Sequence, residues 1–115
     1  MTENKTNTAA DSWLEAVDNQ LYKDSWHTTA EHFRNSVTVD EWQAQITAAR
    51  NKVGNLQSRT LASSKEVQDL PNAPTGKYII KEYASRFSES GAIGERLTLV
   101  VEADGELRVV GYYLI

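Results

Sequence analysis

The chain predicts an α+β fold, with three N-terminal helices packed on one face of a curved four-stranded antiparallel sheet. Three observations carry that expectation. Three apolar stripes at helical spacing, each built around one tryptophan (Trp13, Trp26, Trp42), fill the first half. After Gly54 the apolar period shifts from 3.6 to 2 and stays there to Ile115. Near the end, Asp104-Gly105 is a strong two-residue hairpin signal, which makes the last two strands antiparallel neighbours.

Ala10, Trp13, Leu14, Val17 and Leu21 form the stripe of the first helix, and Tyr22, Trp26, Ala30 and Phe33 that of the second. Thr38-Val-Asp-Glu41 is a capping box that opens the third, with Val37 and Trp42 placed as its hydrophobic staple. Its buried face continues through Trp42, Ile46, Ala49 and Val53. Arg50 and Lys52 suit the C-terminal dipole, and Gly54 suits the stop. The strands follow as Leu56 to Leu70, Lys77 to Ser88, Glu95 to Ala103, and from Glu106 onward. Pro71 to Gly76 separates the first two, because two prolines and a glycine cannot continue a strand. Gly91-Ala-Ile-Gly94, with no phosphate-loop lysine, reads as turn.

A two-residue turn at Asp104-Gly105 would pair Val101 with Arg108, Leu99 with Val110 and Leu97 with Tyr112. One face then shows Leu97, Leu99, Val101, Val110, Tyr112 and Leu114. The other still shows Val100, Leu107, Val109, Tyr113 and Ile115, an apolar surface that three helices on the first face cannot cover. Either a second copy of the chain covers it, making a homodimer through the outer sheet face, or a bulge at Gly111 turns Tyr113 and Ile115 back inward.

Composition narrows the classes. At 115 residues the chain suits one domain over residues 9–115, preceded by a polar, disordered tail over residues 1–8. Twelve basic residues against sixteen acidic ones give a net charge of −4 with no basic stripe, which argues against a nucleic-acid partner. No cysteine is present, so disulfides and thiolate metal sites are excluded. No run reaches the roughly 18 apolar residues of a membrane span. The polar start after Met1 fits either a native beginning or a start codon standing in place of an export signal.

Chemistry is sparse. His27 and His32, five apart, would point about 140° from one another on a helix and cannot share a metal. No cofactor motif appears. Asp18, beside the first helical stripe, and Glu82, flanked by Ile80 and Ala84, are the carboxylates that apolar surroundings could tune for acid–base work. Trp26, Trp42, Tyr83 and Tyr113 are the candidates for lining a binding surface. The tyrosines carry hydroxyls suited to a half-wet site, while the tryptophans lie in stripes that also suit core packing.

The order Trp13-Leu14, Asp18, Tyr22, Ser25-Trp26, Phe33, Trp42, Gly54, Arg59, Leu70-Pro71, Pro74, Gly76-Lys-Tyr78, Glu95 and Val109-Val-Gly-Tyr112 resembles the bacterial family catalogued as domain of unknown function 4019. The resemblance covers nearly the whole chain. It implies a small exported protein, periplasmic or secreted, with a cone-like fold similar to nuclear transport factor 2 and its relatives. It supplies no catalytic motif. Relatives in the wider cone-fold group include isomerases and dehydratases using Asp and His, but no Asp–His pair is evident here. The expectation is therefore a non-enzymatic envelope domain that binds a protein or a small apolar ligand. The alternative is a small cone-fold enzyme with Asp18 or Glu82 as general base and Tyr83 as hydroxyl donor.

Overall fold

The computed structural model describes residues 2–115, with side chains from Thr8 onward. The tail expected over residues 1–8 falls, but for Thr8, outside the residues described in full. Four helices, α1 (Thr2–Asp18), α2 (Tyr22–His27), α3 (Glu31–Ser36) and α4 (Val39–Val53), precede the strands β1 (Leu56–Gln68), β2 (Lys77–Phe87), β3 (Gly91–Val101) and β4 (Leu107–Leu114). The strands form one antiparallel sheet in the order β1-β2-β3-β4. The α+β architecture is the one the periodicities predict.

The second expected helix is divided in two. The Thr28 and Thr29 hydroxyls donate to the Ser25 and Trp26 carbonyls and so close α2. The chain then extends far enough for the Ala30 N–H to reach the Val109 carbonyl at 2.7 Å, docking this linker on the free edge of β4. In α4 the capping box forms as the spacing requires: Thr38 Oγ1 accepts from the Glu41 N–H at 3.1 Å, and Glu41 Oε1 accepts from the Thr38 N–H at 2.9 Å. Gly54 ends α4 with φ 89° and ψ −157°, a conformation essentially restricted to glycine.

The last hairpin departs from the expected register twice, and the two departures cancel. Its turn holds three residues rather than two, because Glu102 pairs with Glu106 (N–O 2.9 Å) and Gly105 takes φ 83°. Val101 therefore pairs with Leu107, Val100 with Arg108 and Leu99 with Val109, one residue away from the expected pairs. A bulge then leaves Val110 as an extra residue, so Thr98 pairs with Gly111 and the expected pairs Leu97–Tyr112 and Arg96–Tyr113 stand. The shift brings Val109 and Leu107 onto the inner face and moves Val110 off it. Tyr113 and Ile115 do not turn inward; they stay 63% and 59% exposed on the outer face. Gly91 to Gly94, expected as turn, is the start of β3, paired with Phe87 to Ala84.

The core lies between α1, α2, α4 and the inner sheet face. It contains Ala10, Trp13, Leu14, Val17, Tyr22, Trp42, Ile46, Leu97, Leu99 and Val109. One polar residue fastens its aromatic centre. Buried Ser25 accepts the Trp42 indole N–H on Oγ and the Trp13 indole N–H on its carbonyl, each at 3.0 Å. Trp13 and Trp42 thus meet at 5.9 Å with both donors satisfied.

A buried ion network opening into a candidate binding cleft

At one end of the interior, apolar packing gives way to charge. Four strands and two helices each place one polar group there by ordinary spacing. Glu95 continues the inward row of Leu99 and Leu97 on β3, and Arg59 and Ser85 lie inward on β1 and β2, paired with one another. Tyr112 follows Val109 inward past the bulge on β4. Asp18 is the last residue of α1, one turn beyond buried Leu14. Arg50 extends the α4 row of Trp42 and Ile46 by one more turn.

Glu95 is the centre of this cluster and is 0% exposed. It accepts from Arg59 Nε at 2.7 Å and Nη2 at 3.0 Å, from the Ser85 hydroxyl, and from the Tyr112 hydroxyl. Arg59 also grips Asp18 through Nη1 (2.8 Å) and Nη2 (3.0 Å). Arg50 Nη2 adds a third bond to Asp18 at 2.9 Å. Two carboxylates and two guanidiniums therefore balance in a low-dielectric interior, the condition under which buried charge is tolerated.

The electrostatics follow from the geometry. Burial works to raise Asp18, but bonds from Arg59 and Arg50 outweigh it and hold the carboxyl below its ordinary value. Glu95 is likewise pushed up by burial and pulled lower by Arg59, Ser85 and Tyr112. Burial alone would lower Arg59; the two carboxylates overcome it and keep the guanidinium charged. Burial, with Asp11 adding to it, pushes the Tyr83 phenol up to about 12. Burial and the Glu95 charge also raise Tyr112.

Asp18 and Arg50, two members of the network, line a cleft of about 560 Å³ that opens to solvent. Asp18 to Gln20 and Tyr22 form one side, Arg50 and Asn51 of α4 another, and Asn55, Ser88 and Glu89 the rim. The rim is held by backbone bonds. The Val53 carbonyl accepts the Glu89 and Ser90 N–H groups at 2.9 and 3.1 Å, and the Ser88 N–H reaches the Asn55 carbonyl at 2.8 Å. Ser88 Oγ then accepts the Asn55 N–H at 2.8 Å. Only glycine fits at 54, because a side chain there would run into Ser88 Oγ and would sit 2.9 Å from the Glu89 nitrogen.

Of the sequence-derived candidates, Asp18 lies in this cleft, 19% exposed and paired with both arginines. Tyr83 is buried on the inner sheet face and does not line the cleft, its ring 6.0 Å from the Arg59 guanidinium. Glu82 is on the opposite face of the sheet, partly exposed and 3.4 Å from Arg96. Tyr113 is on that outer face too. Trp42 is core, and Trp26 is half-buried with its indole N–H on the Val37 carbonyl at 2.8 Å. Among the described residues no His, Asp and Glu cluster could hold a metal ion.

Sequence reasoning did not single out Arg50, Arg59 or Glu95 as site residues, yet a signal for each was present. Arg50 stands eight residues after Trp42 and four after Ile46, on the stripe itself. Glu95 has the parity of Leu97 and Leu99, and Arg59 that of Leu61. A charge on an apolar row has to find a partner across the interior.

The family model described as "Protein of unknown function (DUF4019)" matches residues 9–112, so the chain belongs to that family. No curated protein matches the sequence. Among solved structures, the 1.8 Å structure of Aln2 from a Streptomyces species is similar, with a TM-score of 0.59 at 12% identity. The match covers 98% of this chain and 88% of that one. At that identity the likeness concerns the fold alone.

Proposed function

We propose that this member of the DUF4019 family is a non-enzymatic binding module of the bacterial envelope that receives a small polar ligand in the cleft at the end of α1 and α4. The observation that carries the reading is the composition of the cleft wall. Asp18, Arg50, Asn19, Asn51, Asn55 and Ser88 present charges, amides and a hydroxyl around a volume within the range of small-molecule sites. A small apolar ligand, the sequence expectation, is less suited to such a wall. The enzyme alternative is disfavoured by the same geometry: a carboxylate held by two guanidiniums is a weak base. Glu82 and Tyr83 lie on opposite faces of the sheet, so they do not form an acid–base pair.

A titration of isotopically labelled protein with small polar and small apolar fragments, followed through backbone amide shifts, tests the reading. Polar fragments should move the amides of Asn19, Asn51, Asn55 and Ser88, and Asn51→Trp, which plugs the cleft, should remove the effect. Shifts confined to other regions would end it.

The exposed outer face supports a second reading, self-association. Tyr113 and Ile115 stand beside half-buried Ile80, Val100 and Val110 by strand alternation. Tyr113→Asp with Ile115→Asp should convert a dimer to monomer in sedimentation, whereas a wild-type monomer at high concentration contradicts the pairing. Placement in the envelope rests on the resemblance to exported proteins, and fractionation of cells expressing the full gene tests it. Among the described residues no helix is long and apolar enough to cross a membrane.

A further inference from the structure

The two arginines of the network are not used alike. Arg59 spends Nε, Nη1 and Nη2 on Asp18 and Glu95. Arg50 bonds through Nη2 alone, and its Nε and Nη1 are buried without any partner. The side chain is only 6% exposed, stacks with its guanidinium carbon 4.9 Å from the Phe87 ring centre, and lines the cleft. A guanidinium carries five N–H donors, and burying most of them unmet is costly. The one bond that Arg50 makes is also redundant, because Arg59 already donates to both oxygens of Asp18.

We infer that Arg50 is the ligand-recognising residue of the cleft, and that the ligand carries a carboxylate beside an ammonium group. This inference rests on the binding reading above. The unmet donors are buried as the chain stands, and a turn of the guanidinium toward a carboxylate entering between Arg50 and Asn51 would satisfy them at the cost of one surplus bond to Asp18. A bare anion is opposed by Asp18 behind and Glu89 at the rim, both of which line the cleft. An ammonium on the same ligand turns those carboxylates from repulsive to attractive. The chemistry is that of a free amino acid or of a small peptide carrying both termini. A single amino acid carries both groups, fits within the cleft and serves as the probe.

Four small probes separate the contributions: L-serine, glycolate (carboxylate only), ethanolamine (ammonium only) and glycerol (neutral). Each is titrated into wild type, Arg50→Lys and Asn51→Asp, with cleft amide shifts as the readout. L-serine should bind at least fivefold tighter than glycolate or ethanolamine, and Arg50→Lys should lose about tenfold. Asn51→Asp changes an exposed residue and keeps the network. It should weaken serine and glycolate severalfold while leaving ethanolamine equal or better, and this decides the matter if Arg50→Lys fails to fold. Equal affinity for serine and glycerol, or serine binding indifferent to both substitutions, overturns the ligand class while the binding reading stands. If no probe moves a cleft amide, both fall.

Discussion

Replacing Glu95 by Gln removes the hub of the ion network while changing almost nothing in shape. The carboxylate accepts four bonds, two from Arg59 and one each from Ser85 and Tyr112, and is fully buried. A Gln amide keeps one acceptor oxygen but turns an NH₂ group toward donors, so at least one bond becomes a donor–donor clash. Breaking a buried pair from one side costs about 3–5 kcal/mol. Arg59 keeps its two bonds to Asp18, which places the loss near the lower limit, about 3 kcal/mol. For a domain of this size that corresponds to a fall in Tm of about 12 °C. Urea unfolding followed by tryptophan fluorescence should show the midpoint fall with the slope unchanged. The double variant Arg59→Met/Glu95→Leu should cost less than the sum of its singles by at least about 1 kcal/mol, since each single leaves a charge or donor stranded. A loss under about 1 kcal/mol for Glu95→Gln, or strict additivity in the cycle, would refute the view that these bonds act as one unit.

Four further outcomes follow from the same geometry. Asp18 and Glu95 are held below their ordinary values of 3.8 and 4.5. Their contribution is therefore complete above those values and lost as pH falls below them through the folded values; acid denaturation should steepen there, and less so in Glu95→Gln. At the alkaline end, absorbance titration should find Tyr83 and Tyr112 ionising above the ordinary phenol range, Tyr83 near pH 12. Gly54→Ala forces a side chain into a glycine-only conformation against Ser88 and Glu89, and should cost about 2–4 kcal/mol in chemical denaturation and disturb the cleft amides. Ser25→Ala strands the Trp42 indole N–H in the core, an expected loss of about 1–3 kcal/mol by the same assay.

The elements whose signals are local were legible. The Thr38–Glu41 box, the stop at Gly54 and the four alternating segments all depend on neighbours within a few residues, and they stand where their spacing puts them, except that β3 begins at Gly91 rather than Glu95. Two signals failed where tertiary contact competes with pattern. Tyr22, Trp26, Ala30 and Phe33 carry an unbroken helical period, but the pairing of Ala30 with the β4 edge interrupts the helix. The Asp104-Gly105 dipeptide suits a two-residue turn, but a three-residue turn followed by a bulge at Val110 buries Val109 and brings Leu107, half-buried, against the core.

The site divides along the same line. Asp18 was visible beside its stripe, whereas its partners are 32 and 41 residues away in sequence. Arg50 was explained by a plausible local cause, the helix dipole. Its position on the stripe was the better guide, because a cation on a buried row implies a buried acid.

Native mass spectrometry of gently purified protein tests the central claim most directly, that the cleft above Asp18 and Arg50 holds a small polar molecule. The account predicts a small adduct on the wild-type chain that is absent from Asn51→Trp. Bare wild-type chain, or an adduct retained equally by the plugged variant, would contradict it.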